Sequence, residues 1–202
     1  MSRLLDDIYS SLPSGSDAGP EDRRAVEQNC GDGSSTYGEI HPSAATMLLR
    51  WLKLEEDDCL VDCGSGTGRL ILQSVFETNV GQAVGIEMSD FRHQIALRAK
   101  AEAQLVAESP SLVDRADFLL GDFRDHLPHS TTVIYAGSLC FPATLMTALA
   151  AQAHASPRFR ALCTLKRLPQ GWSSQIREIG ELDLEMTWSK NNRLYIYGPK
   201  RL

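Results

Sequence analysis

The chain has 202 residues, 43% of them hydrophobic, and a formal net charge of −6. That length and apolar content support one globular domain with a sizeable core, and the acidic balance makes it a poor stand-alone nucleic-acid binder. No apolar run reaches the length of a membrane span. Asp6 and Asp7 interrupt the apolar start of the chain, so no leader segment is read there and an intracellular location, cytoplasmic or nuclear, is expected.

Residues 1–12 predict a short amphipathic helix with Leu4, Leu5, Ile8 and Leu12 on one face. Residues 13–20 are turn formers and read as a linker, 21–29 as a charged helix, and Cys30 to Ser35 as a loop. Residues 1–33 therefore predict an N-terminal helical cap or lid, with too little apolar material to fold alone, ahead of a main domain over 34–202. Pro42 fits the first turn of a helix carrying Ala45, Leu48, Leu49 and Leu52 at helical spacing.

An alternation then begins. Strands are predicted at 59–63, 83–86 (closing at Glu87), 116–120, 132–135 and 161–165, separated by helices over 68–79, about 90–107, and Pro142 to about Ala155. Beyond Leu168, residues 179–188 and 193–198 predict two further strands, joined by Lys190-Asn191-Asn192 as a hairpin turn. The fold class is α/β and Rossmann-like: seven strands, mostly parallel with right-handed crossovers, closed by a C-terminal antiparallel hairpin. Cys30, Cys59, Cys63, Cys140 and Cys163 show no metal-ligand spacing and read as small core residues in a reducing compartment. No metal site is expected.

In such sheets ligands sit at the carboxyl ends of the strands. The unusual residues fall there: Asp62, Gly64, Ser65, Gly66 and Gly68 after the first strand, Glu87 after the second, Asp122 and Phe123 after the third, and Ser138 after the fourth. A dinucleotide fingerprint counted from Gly64 needs its last glycine at position 69, which is Arg, and Asp62 stands where a pyrophosphate would lie. S-adenosyl-L-methionine carries an ammonium, a sulfonium and a ribose but no phosphate. Asp62 suits the ammonium, Glu87 the ribose diol, Asp122 the adenine amino group, and Phe123 offers an apolar face. The alternative reading is that Asp62 and Asp122 only cap turns, which leaves Glu87 unexplained.

The segment Thr36-Tyr-Gly-Glu-Ile40, the run Leu60-Val-Asp-Cys-Gly-Ser-Gly-Thr-Gly68, Val84-Gly-Ile-Glu87, Gly121-Asp-Phe123, and Trp188 followed by Tyr195 together resemble the non-SET histone lysine methyltransferases, the disruptor of telomeric silencing type. The resemblance runs in order over roughly residues 34–198. It implies a class I methyltransferase fold and a lysine acceptor on a protein, a histone or another. It implies that Tyr37, Gly38 and Glu39 close over the cofactor, with Glu39 joining Asp62 near the ammonium. It also implies that Trp188 and Tyr195 help line a channel for the target lysine. On spacing alone these two aromatics read as hairpin core rather than channel, and Tyr37 reads equally well as packing on the sheet edge.

Two departures stand out. Where the family has an Asn-Asn-Phe-Ala-Phe motif after strand four, this chain has Gly137-Ser138-Leu139-Cys140-Phe141, with Ser138 nearest the usual asparagine; Arg69 replaces a frequent glutamine. Basic flanks are reduced to Lys200 and Arg201, so no direct nucleic-acid contact is expected. Two other readings compete with protein-lysine methylation: a class I methyltransferase for a small molecule, and a non-catalytic binder of the same cofactor.

Overall fold

The computed structural model describes residues 2–172 and 176–200; Met1 and Arg201 lie outside them. Eight α-helices are described: α1 (Ser2–Ser10), α2 (Pro20–Cys30), α3 (Pro42–Leu52), α4 (Arg69–Glu77), α5 (Asp90–Val106), α6 (Pro110–Val113), α7 (Phe123–His126) and α8 (Ala143–Ala155). The strands are β1 (Cys59–Cys63), β2 (Gln82–Glu87), β3 (Ala116–Leu120), β4 (Val133–Ala136), β5 (Ala161–Thr164), β6 (Ile176–Met186) and β7 (Ser189–Pro199). They form one sheet in the order β3-β2-β1-β4-β5-β7-β6. β1 to β5 pair in parallel, and β7 runs antiparallel to both β5 and β6.

The sheet carries helices on both faces, and its middle strands are apolar throughout for that reason. All five positions of β1 are buried. Successive side chains point to opposite faces. Leu60 therefore joins a core with Ile71, Leu48 and Ile95 on the α3, α4 and α5 side, while Val61 and Cys63 join Leu145 and Leu149 of α8 on the other. α1 belongs to the first of these cores, through Leu5, Ile8 and Leu12. Among the described residues no helix is long and apolar enough to cross a membrane.

The hairpin departs from the sequence expectation. Met186 pairs with Ser189, so the turn is Thr187-Trp188 and not Lys190 to Asn192. Those polar residues lie within β7. Between the pairs Leu184–Asn192 and Met186–Ser189, β7 holds one residue more than β6, a bulge. The Asn192 side-chain amide donates to the carbonyls of Leu184 at 3.3 Å and Ser189 at 2.8 Å, which satisfies groups that the bulge leaves without ladder partners. The predicted linker is also more ordered than its composition implies. Ser14 and Asp17 form a reciprocal cap on a short 3-10 turn at Gly15–Asp17. The cysteines are all free; Cys59, Cys63 and Cys163 are buried as expected, but Cys30 and Cys140 are only half-buried.

Candidate functional site

Strand order reverses between β1 and β4, and a crevice opens at the carboxyl ends of the strands there, where this sheet class binds ligands. It holds about 940 Å³ of empty space, its open mouth included. The floor is the turn from β1 into α4. Gly66 has φ +55°, and a Cβ on it would stand 3.0 Å from the Tyr37 ring and 3.9 Å from Glu39 Oε1. Only a glycine keeps both the turn and the closeness of that roof.

Three carboxylates converge on this turn. Glu87 ends β2; its Oε2 accepts from the Gly66 N–H at 2.7 Å and its Oε1 from the Ser89 N–H at 2.9 Å. Each oxygen keeps a further acceptor position, which suits the two hydroxyls of a ribose. Burial pushes the Glu87 acid up, and the N–H donors and Arg92 only partly offset it. Asp62, at 3% exposure, is the acid that matters most: its Oδ1 is buried with no hydrogen-bond partner. Burial first, then the nearby Glu87 and Glu39 carboxylates, raise this acid well above the ordinary aspartate value. Buried polar atoms are rarely left unpaired. An orphaned carboxylate oxygen between two other carboxylates calls for a cation.

The roof is the segment Thr36 to Ile40. Glu39 Oε1 accepts from the Tyr37 hydroxyl and from Thr67 Oγ1 of the floor at 2.5 Å. This segment is clamped from outside by the hairpin tip. The Glu39 N–H donates to Thr187 Oγ1 at 3.0 Å, the Thr187 N–H to the Glu39 carbonyl at 2.9 Å, and the His41 N–H to the Glu185 carbonyl at 2.9 Å. The Trp188 indole packs against Gly38, where a Cβ would sit 2.1 Å from it. Arg92 of α5, buried, stacks over the Tyr37 ring at 4.8 Å and donates to the carbonyls of Gly15 and Ser35. The N-terminal segment completes the enclosure. The Tyr9 hydroxyl donates to the Thr67 carbonyl at 2.9 Å, Asp6 pairs with Arg69, and Val26 and Cys30 line the cleft.

On the β3 side, Asp122 caps α7, accepting from the Arg124 N–H at 2.8 Å and pairing with the Arg124 guanidinium. Burial pushes this acid up, but the bonds to Arg124 outweigh it and leave it below the ordinary value. Phe123 is buried and lies parallel to Phe141, ring centroids 6.2 Å apart; both line the cleft. The two rings offer edges and faces for a flat base. Ser65 Oγ, also predicted for the site, is buried on the floor without a partner.

The residues expected on the acceptor side are less concentrated. Ser138 is buried, with its hydroxyl turned to the segment just after β5, where it accepts from the N–H groups of Leu165 at 3.0 Å and Lys166 at 3.3 Å. Gly137, not Ser138, lines the cleft. Tyr195 sits opposite Thr164 and Glu181, with the Arg167 guanidinium 4.3 Å over its ring. Trp188 is seven residues away at the hairpin tip, roughly 23 Å along an extended strand. The sequence reading missed Tyr9, Arg92, Tyr135 and Phe141, because a residue of each type within a helix, strand or loop carries no local signal of its tertiary neighbours.

The donor set fits one kind of ligand. Three carboxylates, Asp62 and Glu87 buried and Glu39 half-buried, repel a pyrophosphate. An orphaned acid for an ammonium, a second acid for a diol, and two aromatic faces with an acidic edge for adenine match S-adenosyl-L-methionine.

Comparison with known proteins agrees. The fold resembles that of an RNA methyltransferase of Salinibacter ruber bound to S-adenosyl-L-homocysteine, with a TM-score of 0.58 and 16% identity over 80% of this chain and 95% of that one. It also resembles a Streptococcus agalactiae protein of the NADB-Rossmann superfamily, with a TM-score of 0.59 and 14% identity over 79% and 68%. A protein-lysine N-methyltransferase of Saccharolobus islandicus is 33% identical over 76 residues, which are 38% of this chain and 43% of that relative, so the match spans less than half the relative's length. The profile of the family described as "Histone methylation protein DOT1" matches residues 28–168, well over half of the chain and the whole of the cleft's floor and roof. The chain belongs to the DOT1 histone methylation family, on the class I S-adenosylmethionine-dependent methyltransferase fold.

Proposed function

We propose that the protein is an S-adenosylmethionine-dependent methyltransferase acting on lysine side chains of a protein. The observation that carries the reading is the buried, unpartnered Asp62 carboxylate between Glu39 and Glu87. Asp62 and Glu39 hold the amino-acid end of the cofactor, Glu87 the ribose, and Asp122, Phe123 and Phe141 the adenine; Gly64, Ser65, Gly66 and Gly68 keep the floor low enough for close approach.

The bound sulfonium supplies a methyl group on a good leaving group, so the protein's task is alignment and exclusion of water. A lysine amine attacks only when neutral, and its ordinary pKa is about 10.4. An apolar aromatic approach disfavours the ammonium and frees the lone pair. Trp188, packed against the roof at Gly38, supplies one such wall and Tyr37 closes the cofactor side; Tyr195, on β7 opposite Thr164 and roughly 23 Å away along the strand, stands apart from that wall. The lysine acceptor is supported by the family and by the Saccharolobus islandicus relative. The histone acceptor in the family description is one candidate among proteins.

The test is transfer of labelled methyl groups from the cofactor into an extract, a histone mixture and purified RNA. Label in protein bands that hydrolyses to methyl-lysine is the expected result. Label confined to small molecules or to RNA overturns the acceptor assignment, and no binding of the cofactor at all overturns the whole reading.

A further inference from the structure

A further orphan lies beside Asp62. Tyr135, in the middle of β4, is 3% exposed, lines the cleft, and carries a buried hydroxyl with no hydrogen-bond partner. It is the register partner of Asp62 across the β1–β4 pair, so the two side chains leave the sheet on the same face at the point where strand order reverses. A tyrosine oxygen buried in a sheet costs free energy unless it is satisfied. Leu60 and Val133, one pair further down the two strands on that face, are apolar and offer it nothing.

Resting on the reading above, we propose that Tyr135 is a positioning residue for the cofactor's α-amino group, its hydroxyl oxygen accepting one of three ammonium N–H groups. The count supports this. A primary ammonium presents three donors. Glu39 Oε1 is already taken by Tyr37 and Thr67, which leaves its other oxygen; Asp62 Oδ1 is open; Tyr135 Oη is open. Burial first, and then the nearby Asp62 and Glu39 carboxylates, hold the Tyr135 hydroxyl in its protonated, neutral form. The site thus has two anionic acceptors and one neutral one for a single positive charge. The neutral acceptor adds direction without adding a further buried negative charge.

The test uses Tyr135→Phe, which keeps the ring and removes the hydroxyl. Affinities are measured by calorimetry for S-adenosyl-L-homocysteine and for 5′-methylthioadenosine, which lacks the amino-acid end. The expected result is about tenfold or more weaker binding of the first ligand, in line with a lost hydrogen bond to a charged group, and unchanged binding of the second. Thermal unfolding of the free variant should match or exceed that of the unaltered chain, since an unsatisfied polar atom is gone. Equal weakening of both ligands overturns the inference, because Tyr135 then only shapes the cleft. So does unchanged binding of both. A variant that unfolds earlier, or fails to fold, overturns it as well, by giving the hydroxyl a structural partner in the free protein. If the unaltered chain binds neither ligand, the cofactor reading itself has failed, a result distinct from all of these.

Discussion

Replacing Asp62 with Asn separates stability from function at the centre of the site. In the ligand-free protein Asp62 Oδ1 is buried and unpartnered, with Glu39 and Glu87 as charged neighbours. An unsatisfied buried polar atom costs about 1–3 kcal/mol. The Asn amide is neutral and brings donors that Glu39 and Glu87 can accept, so Asp62→Asn should stabilise the free chain by about 1–2 kcal/mol at pH 8. For a chain of this size that is a rise in Tm of roughly 2–8 °C. The same change removes a charge-assisted hydrogen bond to the ligand ammonium, worth about 1.5–3 kcal/mol, or roughly 10- to 150-fold in Kd.

The pH dependence carries a sign that can be checked. The folded-state acid at Asp62 lies above its ordinary value, so between the two values the folded chain keeps a proton that the unfolded chain has released. Stability from this group is fully present below the ordinary aspartate value of about 3.9 and is lost as pH rises through the raised folded value. The advantage of Asp62→Asn over the unaltered chain should therefore be largest in alkali and shrink on acidification. Differential scanning calorimetry from pH 8 to pH 5, with calorimetric titration of S-adenosyl-L-homocysteine, reads both effects. A variant that is less stable without ligand, or an advantage that grows toward low pH, would refute the orphan-carboxylate argument.

Glu87→Ala should lose more than about 100-fold in cofactor affinity and also lower Tm, because the Gly66 and Ser89 N–H groups lose their acceptor; a normal Tm would show that those bonds contribute little. Asp58 accepts from Thr132, Glu55 and the Arg160 fork far from the cleft, at the amino end of β1. Burial pushes its acid up but these bonds prevail and hold it below the ordinary value, so its stabilisation is present above about pH 4 and lost as pH falls further. Asp58→Ala should cost about 2 kcal/mol with cofactor Kd unchanged, read by denaturant unfolding and calorimetry; a shifted Kd would contradict the separation of the two regions. Trp188→Ala should raise KM for the protein acceptor several-fold while kcat at saturating acceptor falls less, and steady-state kinetics showing the reverse would remove Trp188 from the acceptor wall.

The parallel sheet was legible because each unit repeats a strong local rule: an apolar run, a turn residue, then a helical period. Asp62, Glu87 and Asp122 were legible for the same reason, since strand ends are where such a sheet presents polar groups. The hairpin turn was not. Lys190-Asn191-Asn192 has turn composition, but Asn192 spends its amide on a bulge, and the real turn at Thr187-Trp188 is fixed by what the tip docks onto. Tyr135 was illegible for a related reason. In the sequence it is one aromatic in a buried strand, and only the register with Asp62 shows that its hydroxyl has nowhere to bond. Ser138 shows the opposite error of local reading. Its position after β4 matches the place of a family asparagine, yet two N–H groups just past the end of β5 already occupy its oxygen.

The displaced turn also changes what the aromatic residues can do. With the turn at Lys190 to Asn192, Trp188 would be a strand residue on the sheet. With the turn at Thr187-Trp188, the indole becomes a cover for Gly38, and Thr187 exchanges two hydrogen bonds with Glu39, whose side chain reaches the Asp62 cluster. One short pairing, from Glu39 to His41 against Glu185 to Thr187, thus joins the wall offered to the acceptor and the roof over the cofactor. A displacement of the hairpin tip must move Glu39, and a displacement of Glu39 must move Trp188. Acceptor and cofactor therefore meet a shared element, and alignment of amine and methyl can be set by how that element seats on the floor at Thr67 and Gly66. That gives a physical reason for glycine at position 38: a side chain there would part the indole from the roof and break the link between the two halves of the site.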